Sequence, residues 1–486
     1  MPAIITNKFR IHNSEQFSES FSEASPNVYY MGLGRPQAFA TSTRGDSRTE
    51  NEGTDSAPLT PIDDIQTEFF TFDDLLAVKK VTSSDRTYVV PRRDWTTATT
   101  YDIYRHDYGN RVTGGTTTQA ANSGATNLYD ATFYVMNSSY QIYKCLDNNS
   151  DAASTVEPSG TSTSILSTAD GYKWKYMYSL TASQRSNFLS TDFMPVATDS
   201  TVSAAATDGA VNICRIKTAG SGGTDGSHTG VAIRGDGSSG EATVTVSGGV
   251  VTAVAVTTPG TGYTYGYIRN ADIVTAGATS LSGSEVDVII EPKGGHGYNA
   301  VEELGGFFVM LNVNFEGTES ANTGDVTVAN DFRRVCLIRD PLSSGSAASA
   351  TTLRGTKAVL LTGSPGTFTA DEEINQATTG AVGKVVEYDA TNKLLYFIQT
   401  RFNDEGVDSN GNATAFSGTN VITGQDSSAT GTPSSSSSTV NNVVIASGYS
   451  VPEIDADSGD VIYIENRTAI TRASDQTENV KLIVEF

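Results

Sequence analysis

The sequence is poor in positive charge. Its 486 residues include 32 Lys and Arg against 55 Asp and Glu, which gives a formal net charge of −23 at pH 7. Nucleic acids and anionic membrane surfaces both attract basic faces, so this balance argues against either partner. Charged residues make up only 18% of the chain, whereas glycine alone contributes 46 residues. Such a composition favours a loop-rich β protein.

Long hydrophobic runs and a disulfide framework are also missing. No apolar stretch reaches the roughly 18 residues of a membrane span, and the first ten residues lack the apolar core of a signal peptide. Cys145, Cys214 and Cys336 are widely spaced and odd in number, which favours a reducing compartment. We therefore expect a protein without membrane insertion, and the length suggests roughly three domains.

The hydrophobic pattern predicts a mainly β fold, with an α+β core that contains a few short helices. Phe17 and Phe21 share one face of a helix that Asn13 would cap, and Pro26 lies just beyond its end. A second helix is predicted over 71–80, with Thr71 as its cap. Strands are predicted at 28–31, 87–90, 140–146, 286–290, 307–313, 461–464 and 481–486.

Two changes of composition predict a multidomain chain whose discontinuous core carries two inserted small β domains. The N-terminal part of the core is 1–204, the first Gly/Thr-rich insertion 205–285, the middle part 286–349, the second insertion 350–445 and the C-terminal part 446–486. In the first insertion, Gly248-Gly249 separates two β-branched runs, which is a strong hairpin signal. In the second, residues 389–392 separate two apolar runs, and the serines at 434–438 are typical of a flexible linker.

No motif predicts a catalytic, cofactor or metal site. The four histidines, His12, His106, His228 and His296, lack metal-ligand spacing, and we interpret the two in Gly-rich segments, His228 and His296, as turn residues rather than ligands or bases. The segment 235–240 has the Gly-x-Gly-x-x-Gly pattern. A strand pattern follows it where a dinucleotide site requires a helix, so we predict a loop.

Other short matches also have simpler interpretations. Residues 408–412 resemble part of a calcium loop without its glycine and glutamate, which favours a polar turn. Arg-Gly-Asp at 44–46 and 234–236 is too short to carry meaning. Cys145 and Cys336 lie in apolar segments and are predicted to be buried structural thiols. Three pairs of adjacent acids are predicted to be solvated, namely Asp73/Asp74, Glu302/Glu303 and Glu372/Glu373.

The segment Val90-Pro-Arg-Arg-Asp-Trp95 is chemically unusual. It places two guanidinium groups, a carboxylate and an indole at consecutive positions. Arginine and tryptophan often anchor protein interfaces, and they also form ion pairs and stacked contacts inside a fold. An interface role and an internal ion-pair network are both open at this point.

Several short segments, in one order along the whole sequence, carry a family resemblance. They are 8–10, Tyr-Met-Gly-Leu-Gly-Arg-Pro at 30–36, 90–95, 143–147, 157–158, Asp-Gly-Tyr-Lys-Trp-Lys-Tyr at 170–176, 332–342, Ser-Gly-Asp-Val-Ile-Tyr-Ile-Glu-Asn-Arg at 458–467, and 475–478. Together they resemble the gene-8 baseplate wedge protein family of T-even-type contractile-tail bacteriophages. The resemblance does not clearly cover 205–285 or most of 350–445.

The resemblance implies a non-enzymatic structural subunit without cofactors, located in the tail baseplate of the virion and assembled in the bacterial host cytoplasm. It implies a homodimer that joins other baseplate wedge subunits and takes part in the rearrangement on host contact, with tail fibre attachment proteins as further candidate partners. An alternative is a receptor- or glycan-binding protein that acts through its insertions. Tyr263, Tyr265 and Tyr267 would then stack on sugars, whereas their simpler role is to pack a small β domain.

Overall fold

A computed structural model describes residues 4–23, 26–39, 41–43, 49–109, 120–317, 324–327, 329–401, 406–471 and 476–486. The fold is mainly β with several separate sheets, as the sequence predicts. The chain divides into two compact units, each built from separate stretches. Unit 1 contains Met1–Gln16, Thr87–Met310 and Ile483–Phe486, and unit 2 contains Phe17–Arg86 and Leu311–Leu482.

The helices are short. They are α1 (Asn7–Glu19), α2 (Ile65–Asp73), α3 (Ala182–Phe188), α4 (Ser200–Ala204), α5 (Asn270–Thr275) and α6 (Ala300–Leu304), with 3₁₀ turns at Ser83–Asp85 and Leu128–Asp130. Side-chain caps explain several of the starts. Asp64, for example, accepts a hydrogen bond from the backbone N–H of Thr67 at 2.7 Å at the start of α2.

The strands follow in chain order. They are β1 (Tyr29–Gly34), β2 (Thr41–Thr43), β3 (Thr49–Asn51), β4 (Gly53–Thr54), β5 (Ala57–Pro58), β6 (Leu75–Val81), β7 (Arg86–Pro91), β8 (Tyr134–Met136), β9 (Gln141–Asn148), β10 (Leu166–Ser167), β11 (Tyr172–Ser179), β12 (Phe193–Pro195), β13 (Ile213–Ser221), β14 (Gly226–Ala232), β15 (Arg234–Gly235), β16 (Glu241–Ser247), β17 (Val250–Thr258), β18 (Gly266–Tyr267), β19 (Ser282–Ile289), β20 (Phe308–Glu316), β21 (Phe332–Arg339), β22 (Leu342–Ser343), β23 (Ser346–Ala347), β24 (Thr352–Arg354), β25 (Lys357–Thr362), β26 (Glu373–Gln376), β27 (Ala381–Asp389), β28 (Leu394–Ile398), β29 (Ile422–Gly424), β30 (Thr430–Pro433), β31 (Ser438–Val440), β32 (Val443–Ile445), β33 (Tyr449–Ser450), β34 (Asp460–Ile470) and β35 (Thr477–Glu485).

Unit 1 contains several small antiparallel sheets. A four-stranded sheet has the order β10-β11-β9-β8, and its aromatic face includes Tyr172 stacked on Trp174 at 5.3 Å between ring centroids. The ribbon β13-β19, the sheet β14-β16-β17 and the pair β15-β18 enclose a second apolar core. The buried residues of this core lie within 211–290, a range that overlaps the predicted insertion at 205–285. The boundaries of that insertion stay a prediction.

The predicted hairpin of the first insertion is confirmed. Strands β16 and β17 pair antiparallel, with Ser247 opposite Val250, so Gly248 and Gly249 form a two-residue turn. Both glycines have positive φ, 64° and 79°, as the tight hairpin turn that matches strand twist requires. The side chains of β16 alternate between buried and more exposed positions.

Unit 2 contains two larger antiparallel sheets. The five-stranded sheet has the order β24-β6-β1-β21-β34, and the seven-stranded sheet has the order β28-β27-β26-β29-β30-β25-β33. In the first of these, β1 is buried throughout, and its Gly32 lies opposite Cys336 of β21. A Cβ atom added at Gly32 would lie 2.6 Å from the Cys336 sulfur, so only glycine fits between these strands.

The helix predicted over 71–80 is wrong. Helix α2 ends at Asp73, and the following residues form β6, which pairs with β1 on one side and β24 on the other. The apolar run that begins β6 is buried. A strand inside a sheet can be buried on both of its faces, whereas a helix at the surface leaves one face exposed. Helix α1, in turn, begins at Asn7, six positions before the predicted cap at Asn13.

The serine run at 434–438 connects β30 to β31, and backbone hydrogen bonds hold it to other parts of unit 2. Ser434 is buried, and its N–H donates to the carbonyl of Leu360 at 2.8 Å. The carbonyl of Ser436 accepts from the N–H of Gly448 at 3.1 Å. Among the described residues, no helix combines the length and apolar character that crossing a bilayer requires.

Candidate functional site

The arginines of the Pro-Arg-Arg-Asp-Trp segment, which follow β7, contact their own chain. Arg92 donates from Nε to Asp94 at 3.0 Å and from Nη1 to the carbonyl of Ser190 at 2.9 Å. Arg93 lies 4.7 Å from the ring centroid of Tyr134 and donates to backbone carbonyls of the 3₁₀ turn at Leu128–Asp130. These contacts support the internal network rather than an interface anchor.

The tryptophan of the same segment is tied to a hydrogen-bonded loop. Trp95 Nε1 donates to Ser154 Oγ at 3.1 Å, and Ser154 Oγ donates to Asp170 at 3.0 Å. Burial would raise the pKa of Asp170, but hydrogen bonds from Thr168, Ser154 and the N–H groups of Thr155 and Val156 outweigh it and lower that pKa to about 2. Asp170 is therefore an ionised anchor for the loop that carries Ser154.

A buried ion pair lies inside unit 1. Lys144 of β9 contacts Glu303 of α6, and their side chains are 0% and 3% exposed. Glu303 also accepts from the N–H groups of Gly297 at 2.8 Å and Asn299 at 3.2 Å, so one carboxylate holds both the lysine and a glycine-rich loop. Burial lowers the pKa of Lys144, and Glu303 opposes that shift.

Near this pair, an open pocket of about 830 Å³ with a mixed polar and apolar lining includes Glu291, His296, Lys175 and Asn212. Glu291 accepts from the Asn212 amide and from the His296 N–H. Burial, aided by Lys144 and Lys175, lowers the pKa of His296 well below its ordinary value. The ring is therefore neutral at pH 7, and its Nδ1 is buried without a hydrogen-bond partner. His296 lies in a loop, as predicted.

His228 lies in β14, not in the predicted turn, and its Nε2 is 2.9 Å from the carbonyl of Thr224. His106 accepts a hydrogen bond through Nδ1 from the Ile290 N–H at 3.1 Å. Within the described ranges, no group of three His, Cys, Asp or Glu side chains is placed to hold a metal ion.

The glycine motif at 235–240 begins at the last residue of β15, and its other residues form the loop before β16, as predicted. Its glycines make room for the buried ring of Tyr263. A Cβ atom at Gly237 would lie 2.4 Å from the ring, and one at Gly240 would lie 2.8 Å from its hydroxyl oxygen. The Tyr263 hydroxyl donates to the carbonyl of Ile233 at 2.9 Å and accepts from the Gly240 N–H at 3.1 Å.

The three tyrosines that follow this motif do not share one role. Tyr263 packs inside unit 1, which agrees with the simpler interpretation. Tyr265 and Tyr267 are 57% and 45% exposed, which leaves their rings open to a ligand. Tyr267 lies directly opposite Arg234 in the β15-β18 pair, so the two side chains are neighbours on one face.

Asp272 of α5 joins two exposed arginines beside these tyrosines. Its Oδ1 accepts from Nη2 of Arg234 at 2.9 Å and of Arg269 at 3.0 Å. Its Oδ2 accepts from Nε of the same residues at 3.2 and 2.9 Å. We call Arg234, Tyr265, Tyr267, Arg269 and Asp272 the tyrosine–arginine surface. Sequence reasoning identified its tyrosines but missed the arginine pair, because Arg234 and Asp272 are 38 positions apart.

The adjacent acids differ from the prediction that they are solvated. One member of each pair is buried, namely Asp74, Glu303 and Glu372. Asp74 accepts from Arg334 at 2.9 Å, and Glu372 accepts from the N–H groups of Thr369 at 2.6 Å and Ser427 at 2.9 Å. The other members, Asp73, Glu302 and Glu373, are partly buried, so adjacent acids have different surroundings because neighbouring side chains point in different directions.

The remaining motifs follow the sequence interpretation where they are described. Asp408 accepts from the N–H groups of Asn410 at 2.8 Å and Asn412 at 3.0 Å, which forms a polar turn. Cys145 and Cys336 are buried, and burial raises the pKa of the Cys336 thiol to about 12. The Arg-Gly-Asp at 44–46 lies outside the described residues.

A family model, Phage-Gp8, described as Bacteriophage T4, Gp8, matches residues 3–154. This match confirms the resemblance that the sequence motifs indicated, and the matched range includes the segments at 30–36, 90–95 and 143–147. The later segments lie beyond it. No curated protein matches the chain.

Proposed function

We propose that this chain is a structural subunit of the tail baseplate wedge of a contractile-tail phage. The premise is the match of residues 3–154 to the Phage-Gp8 family model. The family implies a structural role in the baseplate wedge of T4-like phages, in the tail of the virion. The family match is the observation that carries the proposal. The β-rich architecture fits a subunit whose task is to hold fixed positions in an assembly.

The internal contacts of the matched region support this role. The side chains of Arg92, Arg93 and Trp95 donate hydrogen bonds to other residues of the same chain. These bonds fix the ends of the neighbouring strands. A scaffold subunit needs surfaces held at constant spacing, and a network of this kind supplies that rigidity. The proposed mechanism is therefore geometric and involves no catalytic step.

We further propose that the subunit acts as a homodimer that joins neighbouring wedge proteins, with tail fibre attachment proteins among the candidate partners. It would assemble in the host cytoplasm and take part in the baseplate rearrangement on host contact. The net charge of −23 keeps the separate subunit soluble and steers it towards basic patches on its partners.

Cross-linking mass spectrometry on purified tails tests the scaffold proposal. Lys8, Lys173 and Lys217 have exposed side chains, so we expect lysine-reactive links from them to other tail proteins. Lys144 is the internal control, because its buried amine should give no link in an intact particle. Absence of the chain from purified tails, or links only within the chain, would contradict the proposal.

Sedimentation equilibrium of the purified chain tests the dimer separately. The expected mass is twice 51.2 kDa at micromolar concentration, and the ionic strength should be varied because the chain repels itself. A monomer at every salt and protein concentration would remove the dimer from the proposal and leave the scaffold role standing.

The exposure of Tyr265 and Tyr267 favours a second candidate function, in which the tyrosine–arginine surface binds a glycan receptor. Exposed aromatic rings stack on the apolar faces of sugars. A glycan array probed with the full chain tests this, with Tyr267→Ala as the variant. Tyr298→Ala is the matched control, because Tyr298 is similarly exposed at 54% elsewhere in unit 1. Equal signals from both variants would reject the surface as the binding site.

A further inference from the structure

We propose that the tyrosine–arginine surface is a binding site for an acidic saccharide, in which Arg234 and Arg269 hold a carboxylate or phosphate substituent and Tyr267 stacks on the sugar ring. This inference rests on the second candidate function, and it adds the chemical class of the ligand. It is independent of the scaffold role.

The arginines are already arranged for an anion before any ligand arrives. Asp272 binds each guanidinium through Nε and Nη2, at distances between 2.9 and 3.2 Å, which fixes the planes of both groups. A held guanidinium loses less conformational freedom on binding than a mobile one. The carboxylate thus acts as a positioning group for two cations.

Most of the hydrogen-bonding capacity of these cations is unused. A guanidinium has five N–H donors, and Asp272 accepts two from each, so three remain on Arg234 and three on Arg269. No other polar contact of either side chain is present among the described residues. The side chains are 46% and 52% exposed, so the donors are accessible to a ligand.

This surface is far less negative than the molecule as a whole. Two arginines and Asp272 sum to +1, and the ionised Asp236 beside Tyr265 brings the local sum to zero, while the whole chain carries −23. Guanidinium pairs recognise carboxylate and phosphate groups through paired N–H donors. One carboxylate or phosphate substituent is enough to engage the free donors of this local site.

The neighbouring loop holds the aromatic part of the surface in place. Asp236 accepts from the N–H groups of Thr264 at 2.9 Å and Tyr265 at 3.2 Å. Hydrogen bonds from Thr264 lower the pKa of Asp236 to about 2, so this clamp stays ionised. Tyr267 is fixed next to Arg234 by the strand pair, which places a stacking ring beside the anion site.

The test measures binding of hexagalacturonate, an acidic oligosaccharide, and maltohexaose, a neutral one of equal length, to the full chain by calorimetry. We expect hexagalacturonate to bind and maltohexaose to bind at least about tenfold more weakly. Removing both guanidinium groups with R234Q/R269Q should weaken hexagalacturonate binding by about a hundredfold, or about tenfold for each group. Arg339→Gln is the matched control, since Arg339 is an exposed arginine paired with Asp460 in unit 2.

The outcomes separate this inference from the two candidate functions. Equal binding of both oligosaccharides, unchanged in R234Q/R269Q but lost in Tyr267→Ala, would overturn the acidic specificity and keep a glycan site. No binding of either oligosaccharide, or of inorganic phosphate, would overturn both. Loss of the variant from tails without any glycan binding would assign the arginines to a protein partner instead. A normal thermal melt of R234Q/R269Q is required in each case.

Discussion

The buried pair between Lys144 and Glu303 gives the sharpest prediction. Replacing Lys144 with Met removes the cation and leaves the carboxylate of Glu303 in the core of unit 1, where its side chain is only 3% exposed. Glu303 keeps its backbone donors at Gly297 and Asn299, so its charge is partly compensated. We expect K144M to lower the free energy of unfolding of unit 1 by about 3 to 5 kcal/mol.

The double variant shows how much of this loss belongs to the pair. With Glu303→Gln alone, the buried lysine loses its counterion, whereas K144M/E303Q leaves no charge at either position. The cost of the double variant should be smaller than the sum of the single costs by at least about 2 kcal/mol. The control is the pair Lys217–Glu285, 3.2 Å apart with side chains 57% and 58% exposed, where the same substitutions should cost below about 1 kcal/mol.

Tryptophan fluorescence during urea unfolding measures the free energy of unfolding of unit 1. The chain has two tryptophans, Trp95 and Trp174, and both belong to unit 1. The signal therefore follows unit 1 even if the chain unfolds in more than one step. Equal shifts for K144M and K217M, or strictly additive costs in K144M/E303Q, would refute the reasoning that the pair stabilises unit 1 as a desolvated ion pair.

Three further predictions follow from close packing and from ionisation. Gly237→Ala should destabilise the β16-β17 region by about 1 to 3 kcal/mol, because its Cβ would clash with the Tyr263 ring; amide hydrogen exchange of residues 241–258 measures this. Gly32→Ala should cost a similar amount, about 1 to 3 kcal/mol, and Cys336→Ala should rescue it, whereas an unchanged hydrogen-exchange pattern in β1 would contradict the clash. The pKa of Asp170 is lower in the folded state, about 2, than in the unfolded chain, so its contribution is present above about pH 4 and is lost as the pH falls towards 2. Solvent screening limits it to about 1 kcal/mol, and the acid dependence of tryptophan fluorescence should flatten in Asp170→Asn.

Much of the sheet structure could be predicted from local pattern. The Gly248-Gly249 hairpin follows from the two glycines and the β-branched residues around them, and both features are visible in the sequence. The helix prediction over 71–80 failed because capping and charge are local, while β6 exists through its pairing with β1 and β24. Pairing between distant strands overrides a weak local preference for helix, and such pairing cannot be inferred from the local pattern of a single sequence.

The candidate site was only half visible for the same reason. Alternation identified Tyr265 and Tyr267, although it could not tell which of the tyrosines is buried. The arginine pair depends on Asp272, and Arg234 comes from a strand 38 positions earlier. The buried pair Lys144–Glu303 spans 159 positions. Contacts at such separations arise from the folded topology.

The alternation of the chain between its two units has a consequence for synthesis on the ribosome. The five-stranded sheet of unit 2 contains β1, a central strand near residue 30, and β34, an edge strand at Asp460–Ile470. Unit 1 draws on Met1–Gln16 and on Ile483–Phe486. Neither unit can be completed until the residues up to 486 have left the ribosomal tunnel, so the two units cannot fold one after the other as the chain emerges. Nascent chains that have not yet reached these strands would therefore expose unpaired strand edges, and a partner would meet the final surfaces of either unit only after β34 and the residues up to 486 have joined them.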